Sequence, residues 1–419
     1  MVKKAYAWED GAILDEHSRR KHKILREYFH QYLLVRCQNP KQTKFRLAVV
    51  DGFSGGGRYA CGSAGSPVIF IEELQCALAA INLRRASLGM GKVVIECLLI
   101  FNDAIPRVTQ LLRECCAPLV AAVREQAPDL SLEILYMSET FEKAYPLIKA
   151  RIGGRYGSVI WNLDQYGHVQ VDVATIHQIM RSTPSVEIFC TFAIDSLLTF
   201  LSRTNPQLMA QQVRHLAIDP ADLRAIDGIA SNEAWLGAAE RIVFETFCSC
   251  APYVSPFSIT NPKGWRYWLI HFANNYRARQ VYNDVLHDNG TQAHFGLPGL
   301  DMLHYDPEKE GSLYLFEAEH RANAKLKLID DIPRLVAASG DAMVVGDFYA
   351  AAYSATPAHK DDIHGAMLVG EDLEVLTPAG GVRRKGHQIT VRDTLRLKTQ
   401  RSFFTYFSPS ARAAPRDAN

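Results

Sequence analysis

Between residues 47 and 59 the chain reads LAVVDGFSGGGRY, an apolar run that ends on Asp51 and then meets Gly52, Gly55, Gly56 and Gly57. A chain leaving a buried strand here must turn sharply, and residues without a Cβ let backbone N–H groups approach a ligand. The strict dinucleotide fingerprint GxGxxG cannot be written, because from Gly55 and Gly57 its third glycine falls on Ala60. The relaxed form with alanine does fit, so this register alone leaves a dinucleotide open. The pattern D-x-F-x-G-x-G (Asp51, Phe53, Gly55, Gly57) suits a ligand without a pyrophosphate, whose ammonium group faces the acidic residue. S-adenosylmethionine (SAM) is such a ligand.

A second acidic residue, Asp103, closes the apolar run LLIFND. Its carboxylate can accept both ribose hydroxyls, or cap the helix that Ile105-Pro106 begins, or do both. It lies well beyond the roughly 20-residue spacing of the dinucleotide fingerprint. Ser138 and Glu139 stand after the next strand, where an adenine would be met. Further on, the chain reads Trp161-Asn162-Leu163-Asp164-Gln165-Tyr166-Gly167-His168. Ligands in parallel sheets sit outside the carboxyl ends of the strands, so this corner faces the reacting group. Asp164 can accept from a target amine and Tyr166 can stack on a base, although both prolines of the amino-methyltransferase Asn/Asp-Pro-Pro-aromatic element are missing. A purely structural role for Asp164 at the strand end stays open. No cysteine adjoins a proline, which excludes carbon-5 cytosine chemistry. Gln165 and His168 are further substrate-side candidates. His17 and Lys21, at i and i+4 on one helix face, either line the same mouth or belong to a solvated basic face.

These residues require a scaffold that brings positions 51, 103, 139 and 164 to one edge. Residues 15–36 read as an amphipathic helix with Ile24, Tyr28, Tyr32 and Val35 on one stripe. Apolar strands are expected over 47–51, 93–103, 132–139, 158–164 and 186–192, alternating with helices that include 66–87, 106–124 and 173–181. Continuous apolar strands of this kind belong to a parallel sheet covered on both faces. After an irregular helix-rich stretch, residues 255–274 hold two β-rich runs around Asn261-Pro262-Lys263-Gly264, a hairpin signal. The expected class is therefore α/β, with the Rossmann-like class I methyltransferase sheet closed by an antiparallel hairpin. Beyond residue 300 short elements follow: helices over 347–354 and 361–369, then strands over 373–376 and 388–397 flanking PAGGVRRK. That is the order of a winged helix. The expected divisions are a helical segment 1–45 packed on the core, a SAM-binding domain 46–295, a winged-helix-like domain 300–407 and a tail 408–419.

With 419 residues the chain exceeds one ordinary compact domain, and its net charge of +1 excludes a chain-wide field toward nucleic acid. Any basic surface must be local. Residues 382–401 supply one, with Arg383, Arg384, Lys385, Arg392, Arg396, Lys398 and Arg401 against Asp393 alone. Arg383, Arg384 and Lys385 are the expected phosphate contacts, with a solvated hairpin or a protein-docking surface as the alternative. No run approaches the roughly 18 apolar residues of a membrane span, and the N-terminus lacks a secretory apolar core. No membrane association is expected, and the cytoplasm is the expected address. The nine cysteines form no CxxC pair, so they read as buried free thiols and no metal site is expected.

In combination these segments resemble the three-Cys-motif partner proteins (TcmP). The residues concerned are His17, Lys21, Ile24, Leu25 and Tyr28 on the first helix, then Val50 to Tyr59 followed by Gly65-Ser66-Pro67. Asp164, Tyr166 and Gly167 match a D-P-F/Y-G corner, and Tyr267-Trp268-Leu269-Ile270 leads into Phe272-Ala273-Asn274. The likeness spans roughly residues 8–290. It departs at Gln165, where a proline is expected, and at Asn102-Asp103, where a glutamate is common. The resemblance implies a methyltransferase-like protein, often ending in a winged helix, with a radical-SAM-like three-cysteine protein as a neighbouring partner. The expected function is SAM-dependent methylation of nucleic acid, DNA or tRNA, at an amino or ring nitrogen. The alternatives are a protein or small-molecule methyltransferase whose winged helix docks a partner, and a non-catalytic SAM-sensing DNA-binding regulator.

Overall fold

The computed structural model describes residues 7–226, 228–229, 231–260, 264–289 and 318–398. They divide into two units, residues 7–289 and residues 318–398. Residues 261–263 of the expected hairpin turn, positions 1–6, 290–317 and 399–407 of the expected domains, Arg401 and the tail 408–419 lie outside the described residues.

The first unit opens with a single 3-10 turn, Trp8–Asp10, followed by α1 (Glu16–Arg36). Strands and helices then alternate: β1 (Lys44–Asp51), α2 (Ser66–Ser87), β2 (Val94–Asn102), α3 (Pro106–Gln126), β3 (Leu130–Met137), α4 (Phe141–Ile152), β4 (Ser158–Leu163), α5 (Val173–Met180) and β5 (Ser185–Phe192). Four helices follow, α6 (Ile194–Phe200), α7 (Pro206–Val213), α8 (Pro220–Ala225) and α9 (Asn232–Cys248). The unit closes with β6 (Tyr253–Thr260), β7 (Arg266–Ala273) and α10 (Tyr276–Asp288). The seven strands form one sheet in the order β3-β2-β1-β4-β5-β7-β6. β1 to β5 run parallel, and β7 is antiparallel to both β5 and β6.

The central strands are apolar along their length because both faces are covered. Every residue of β4 is buried, and Ala48, Val50, Leu98, Ile100, Val159, Trp161, Val186 and Ile188 pack in one core with Phe141, Ile148 and Ile176. The register sets Asp51 beside Phe101 and Asn162, so the carboxyl ends of β1, β2 and β4 are level. α2 starts where Pro67 occupies its first turn, a position where the missing N–H costs no helical bond. It is long and apolar enough to span a membrane, but 61% of its apolar window is buried within the fold. Of the expected stripe of α1, Ile24, Tyr28 and Tyr32 are buried and Val35 is half-buried, and Leu25, Phe29 and Leu33 on the adjoining face are buried too. Phe29 meets Phe70 of α2 edge-on at 5.0 Å, while Tyr28 donates to Glu187 of β5 at 2.5 Å. α1 is thus held between α2 and the sheet.

The second unit contains α11 (Ala318–Ala338), β8 (Ala342–Val344), α12 (Val345–Ala352), α13 (Lys360–Val369), β9 (Leu373–Leu376) and β10 (Thr394–Leu397). Its strands form a small antiparallel sheet in the order β8-β10-β9. Leu328, Ile332 and Val336 of α11 are buried, as are Phe348, Ile363, Met367, Val375 and Leu395. Two expectations are corrected here. α11 is a long helix in a section that reads as short elements, because Pro333 interrupts its pattern from within. The strand expected over 388–397 is confined to Thr394–Leu397. Residues 386–388 form a 3-10 turn instead, and the buried Asp393 accepts from the Thr390 N–H at 2.8 Å and from Arg383. Those bonds hold the loop in place of a strand ladder.

Candidate functional site

A cavity of about 1400 Å³ opens at the carboxyl ends of the parallel strands in the first unit. That exceeds the roughly 300–1,000 Å³ of ordinary small-molecule sites, leaving space for two ligands side by side.

One end is made by the loop after β1. The Gly52 N–H donates to the Asn162 carbonyl at 2.9 Å, and the Ser54 N–H donates to the Asn102 carbonyl at 2.9 Å, pinning the loop to its neighbouring strands. Gly52 must be glycine because a Cβ there would sit 2.9 Å from the Phe141 ring. Gly55 has φ +63°, and a Cβ on it would lie 2.3 Å from the Trp8 indole, which rests directly on this backbone. Phe53 packs on Phe141 with centroids 5.4 Å apart and faces the cavity. Gly57 turns the other way, against Leu112 and Cys115 of α3.

Asp51 is fully buried at the floor of this loop. Its Oδ1 accepts from the Phe53 N–H at 3.4 Å, a long bond, and its Oδ2 has no hydrogen-bond partner among the described residues. Burial pushes its carboxyl up to about 7, the nearby Ser66 and Asn162 side chains pull it the other way, and the Asp164 charge adds to the rise. An unpartnered buried carboxylate oxygen fits a cationic ligand group. Asp103 accepts from the Gly55 N–H at 3.1 Å and from the Ile105 N–H at 3.0 Å, so it ties the glycine loop to the start of α3. The helix cap is not made, because the N-cap position of α3 is Ile105 and carries no side-chain bond, so Asp103 serves the loop, and burial raises its carboxyl. Glu139 lines the cavity, whereas Ser138 does not, because β3 ends two residues earlier than expected. Asn102, marked in the sequence only as part of a departure, bonds both loops: Nδ2 donates to the Gly52 and Glu139 carbonyls at 3.1 and 2.9 Å.

The other end gathers side chains from distant segments. Asp164 Oδ1 lies 2.5 Å from Lys21 Nζ, and Lys21 reaches Thr191 Oγ1 at 3.5 Å. Burial pushes the Asp164 carboxyl up, but the Lys21 ammonium with the hydrogen bonds of Lys21 and Thr191 outweighs it and holds the group below its ordinary value. His17 and Lys21 are both buried and line the cavity, which settles their alternatives: the face is not solvated. His17 stacks on Tyr267, centroids 4.8 Å apart and planes within 6°. His22, between them and Tyr59, is driven down to about 4 by burial and by the Lys21 charge. Tyr166 stands exposed at the mouth, as do Trp265 and Phe200. His168 Nδ1 is 3.3 Å from His215 Nε2, and burial lowers both imidazoles, His215 to about 4.

Gln165 is a correction. Its side chain points into its own loop, where Oε1 accepts from the Gln170 and Val171 N–H groups at 2.9 and 3.1 Å, and Nε2 approaches Cys190 Sγ at 3.7 Å. It still lines the cavity, but its amide oxygen is taken up by the loop and shapes the corner. Arg383 of the second unit is another. It pairs in both arms with Asp393, at 2.9 and 3.1 Å, and so serves the loop. Arg384, Lys385 and Arg392 are exposed with no acidic partner among the described residues, whereas Arg396 pairs with Glu374. No protein-family model and no curated protein matches the chain.

Proposed function

We propose that the chain binds SAM and transfers its methyl group to an amino or ring nitrogen of a nucleic acid. Asp51 carries the reading: a fully buried carboxylate with one unpartnered oxygen at the end of the central strand, under a glycine loop. The sheet order β3-β2-β1-β4-β5-β7-β6 with β7 antiparallel supports it, being the Rossmann-like class I methyltransferase layout, in which a dinucleotide dehydrogenase would more often continue with parallel strands. When bound, SAM supplies an electrophilic sulfonium methyl. The chain does the rest. Asp51 accepts the methionyl ammonium, and the free lone pairs of Asp103 accept from the ribose hydroxyls. Asp164, kept ionised by Lys21, accepts from the acceptor nitrogen's N–H, and Tyr166 offers a stacking face at the mouth.

In the second unit, the succession α11-β8-α12-α13-β9-β10 and the sheet order β8-β10-β9 support a winged-helix module whose loop presents Arg384, Lys385 and Arg392. A second reading has one observation in its favour. α13, the helix that would enter a groove, exposes Asp361, and Val344, Val369, Val382 and Val391 are exposed in the same unit. That surface suits a protein partner, and the resemblance to TcmP implies a three-cysteine radical-SAM-like one.

Isothermal titration with SAM and with NAD tests the donor: heat with SAM is expected, and heat with NAD alone overturns the reading. Labelled SAM offered total tRNA, plasmid DNA and a protein fraction then reports where the methyl lands. Label in nucleic acid is expected, and label in protein favours the docking reading.

A further inference from the structure

α1 and α2 lie side by side, and between them three donor atoms meet, one from α1 and two from α2. His30 Nδ1 of α1 is 2.9 Å from Glu73 Oε2 of α2, and Cys76 Sγ completes a set within 4.8 Å of one another. Glu73 and Cys76 are at i and i+3 and so share a face of α2. We propose that His30, Glu73 and Cys76 bind a divalent transition-metal ion of the zinc type, which clips α1 to α2.

Nitrogen, carboxylate oxygen and thiolate are the donors zinc takes, and three protein ligands leave a fourth position to water. Bond lengths of about 2.0–2.3 Å set such donors roughly 3.3–3.6 Å apart. His30 and Glu73 are already inside that separation, and Cys76, exposed at the rim, closes the remainder by turning its side chain. Glu73 keeps its other oxygen on Arg26 Nη1 at 2.7 Å, so one carboxylate serves the guanidinium and the ion together. Nearby charge is balanced without the ion. Glu72 takes Arg26 on one oxygen and Arg58 on the other, at 2.7 and 2.9 Å. An entering dication displaces the Cys76 thiol proton and leaves the cluster one charge more positive beside two guanidinium groups. The site is therefore exchangeable. Its position gives it a consequence. α1 carries His17, Lys21 and His22 into the cavity, so an ion here fixes the helix that supplies them.

The test uses the full chain, stripped with a chelator and kept reduced, titrated with Co²⁺ while the near-ultraviolet thiolate-to-cobalt charge-transfer band is followed. A band saturating at one equivalent and displaced by Zn²⁺ is expected. It should vanish in Cys76→Ser, a change at an exposed position, weaken at least tenfold in His30→Ala, and persist in Cys61→Ser. No band, a band that survives Cys76→Ser, or undiminished affinity in His30→Ala overturns the site. The readout needs neither SAM nor a methyl acceptor, so its failure and failure of the proposed function are told apart.

Discussion

At the glycine-loop end of the cavity, backbone amides and one buried carboxylate face the space, and apart from the Trp8 indole laid on the loop the parts come from the carboxyl ends of β1 to β3 and the segments after them. At the Asp164 end the parts come from α1, the loop after β4, β5, the segment after α7 and the start of β7. The first end is a local turn held by main-chain hydrogen bonds to neighbouring strands. The second is a convergence of side chains whose charges set one another. Change at the first end should therefore act on ligand affinity, and change at the second on chemistry and on stability together.

The largest effect is expected from Asp164→Ala. Losing a positioned proton acceptor lowers methyl transfer by about 10²–10⁴-fold, with SAM affinity by titration calorimetry unchanged. Transfer surviving at more than a tenth would assign Asp164 to structure alone. The same change leaves Lys21 buried without its partner, and breaking such a pair costs about 3–5 kcal/mol. The lower end applies, because the Asp164 side chain keeps 26% of its accessibility. Lys21→Met is the complement. Without the ammonium, burial of Asp164 is opposed chiefly by Thr191, so the acid limb of the rate profile moves to higher pH.

Asp51 makes a prediction of the opposite character. Its folded carboxyl sits near 7, above its ordinary value of 3.8. The folded state thus holds a proton that the unfolded chain releases, and the stability of the ligand-free protein falls as pH rises from about 4 through 7. A ligand ammonium needs the ionised form, so SAM affinity should rise over the same interval, by at most about tenfold per pH unit, and level off above it. Asp51→Asn should flatten both curves, the first followed by urea unfolding and the second by calorimetry. A SAM affinity independent of pH in the parent chain would remove Asp51 from the ligand.

Gln165→Ala tests the corner more gently. The buried Val171 N–H and the part-buried Gln170 N–H lose their acceptor, at about 1–3 kcal/mol for the buried one, and the Tyr166 loop loosens. Transfer should fall more than SAM affinity does. The reverse order would place Gln165 at the donor end.

The contrast between the two ends is also the contrast between what a sequence displays and what it hides. The glycine cluster, Asp51 and Asp103 are legible because a turn beside a strand end is a local event, and the apolar runs of β1, β2 and β4 are legible because both faces of the sheet are covered. Thr191, His22 and His215 carry no local mark. They reach the cavity only because the sheet register and the packing of α1 bring them there. Arg85 shows the same limit away from the site. It reads as an ordinary helix-end cation, yet it is buried and donates to the backbone carbonyls of Cys37, Asn39, Pro40, Gln42 and Gly91, organising the turn before β1. Gln165 differs again: the resemblance, with its expected proline, marks it as a departure, and its two accepted N–H bonds show what it does in the corner.

The smallest effects belong to the second unit, where a basic run divides into charges that hold the fold and charges that face outward. Arg383 and Arg384 are neighbours with opposite assignments. Arg383→Ala strands the buried Asp393, so it should lower the melting temperature and leave the salt dependence of nucleic-acid binding nearly intact. Arg384→Ala should leave the melting temperature alone. If the loop contacts phosphate, one fewer counterion is released, and the slope of log K against log salt becomes shallower by about 0.9 on duplex DNA or about 0.7 on a single strand. Affinity then falls only a few-fold near physiological salt. Gel shifts at several salt concentrations measure both variants against the parent. An unchanged slope in Arg384→Ala, repeated in Lys385→Ala and Arg392→Ala, would take nucleic acid away from this loop. The exposed valines would then be the better guide to what the unit binds.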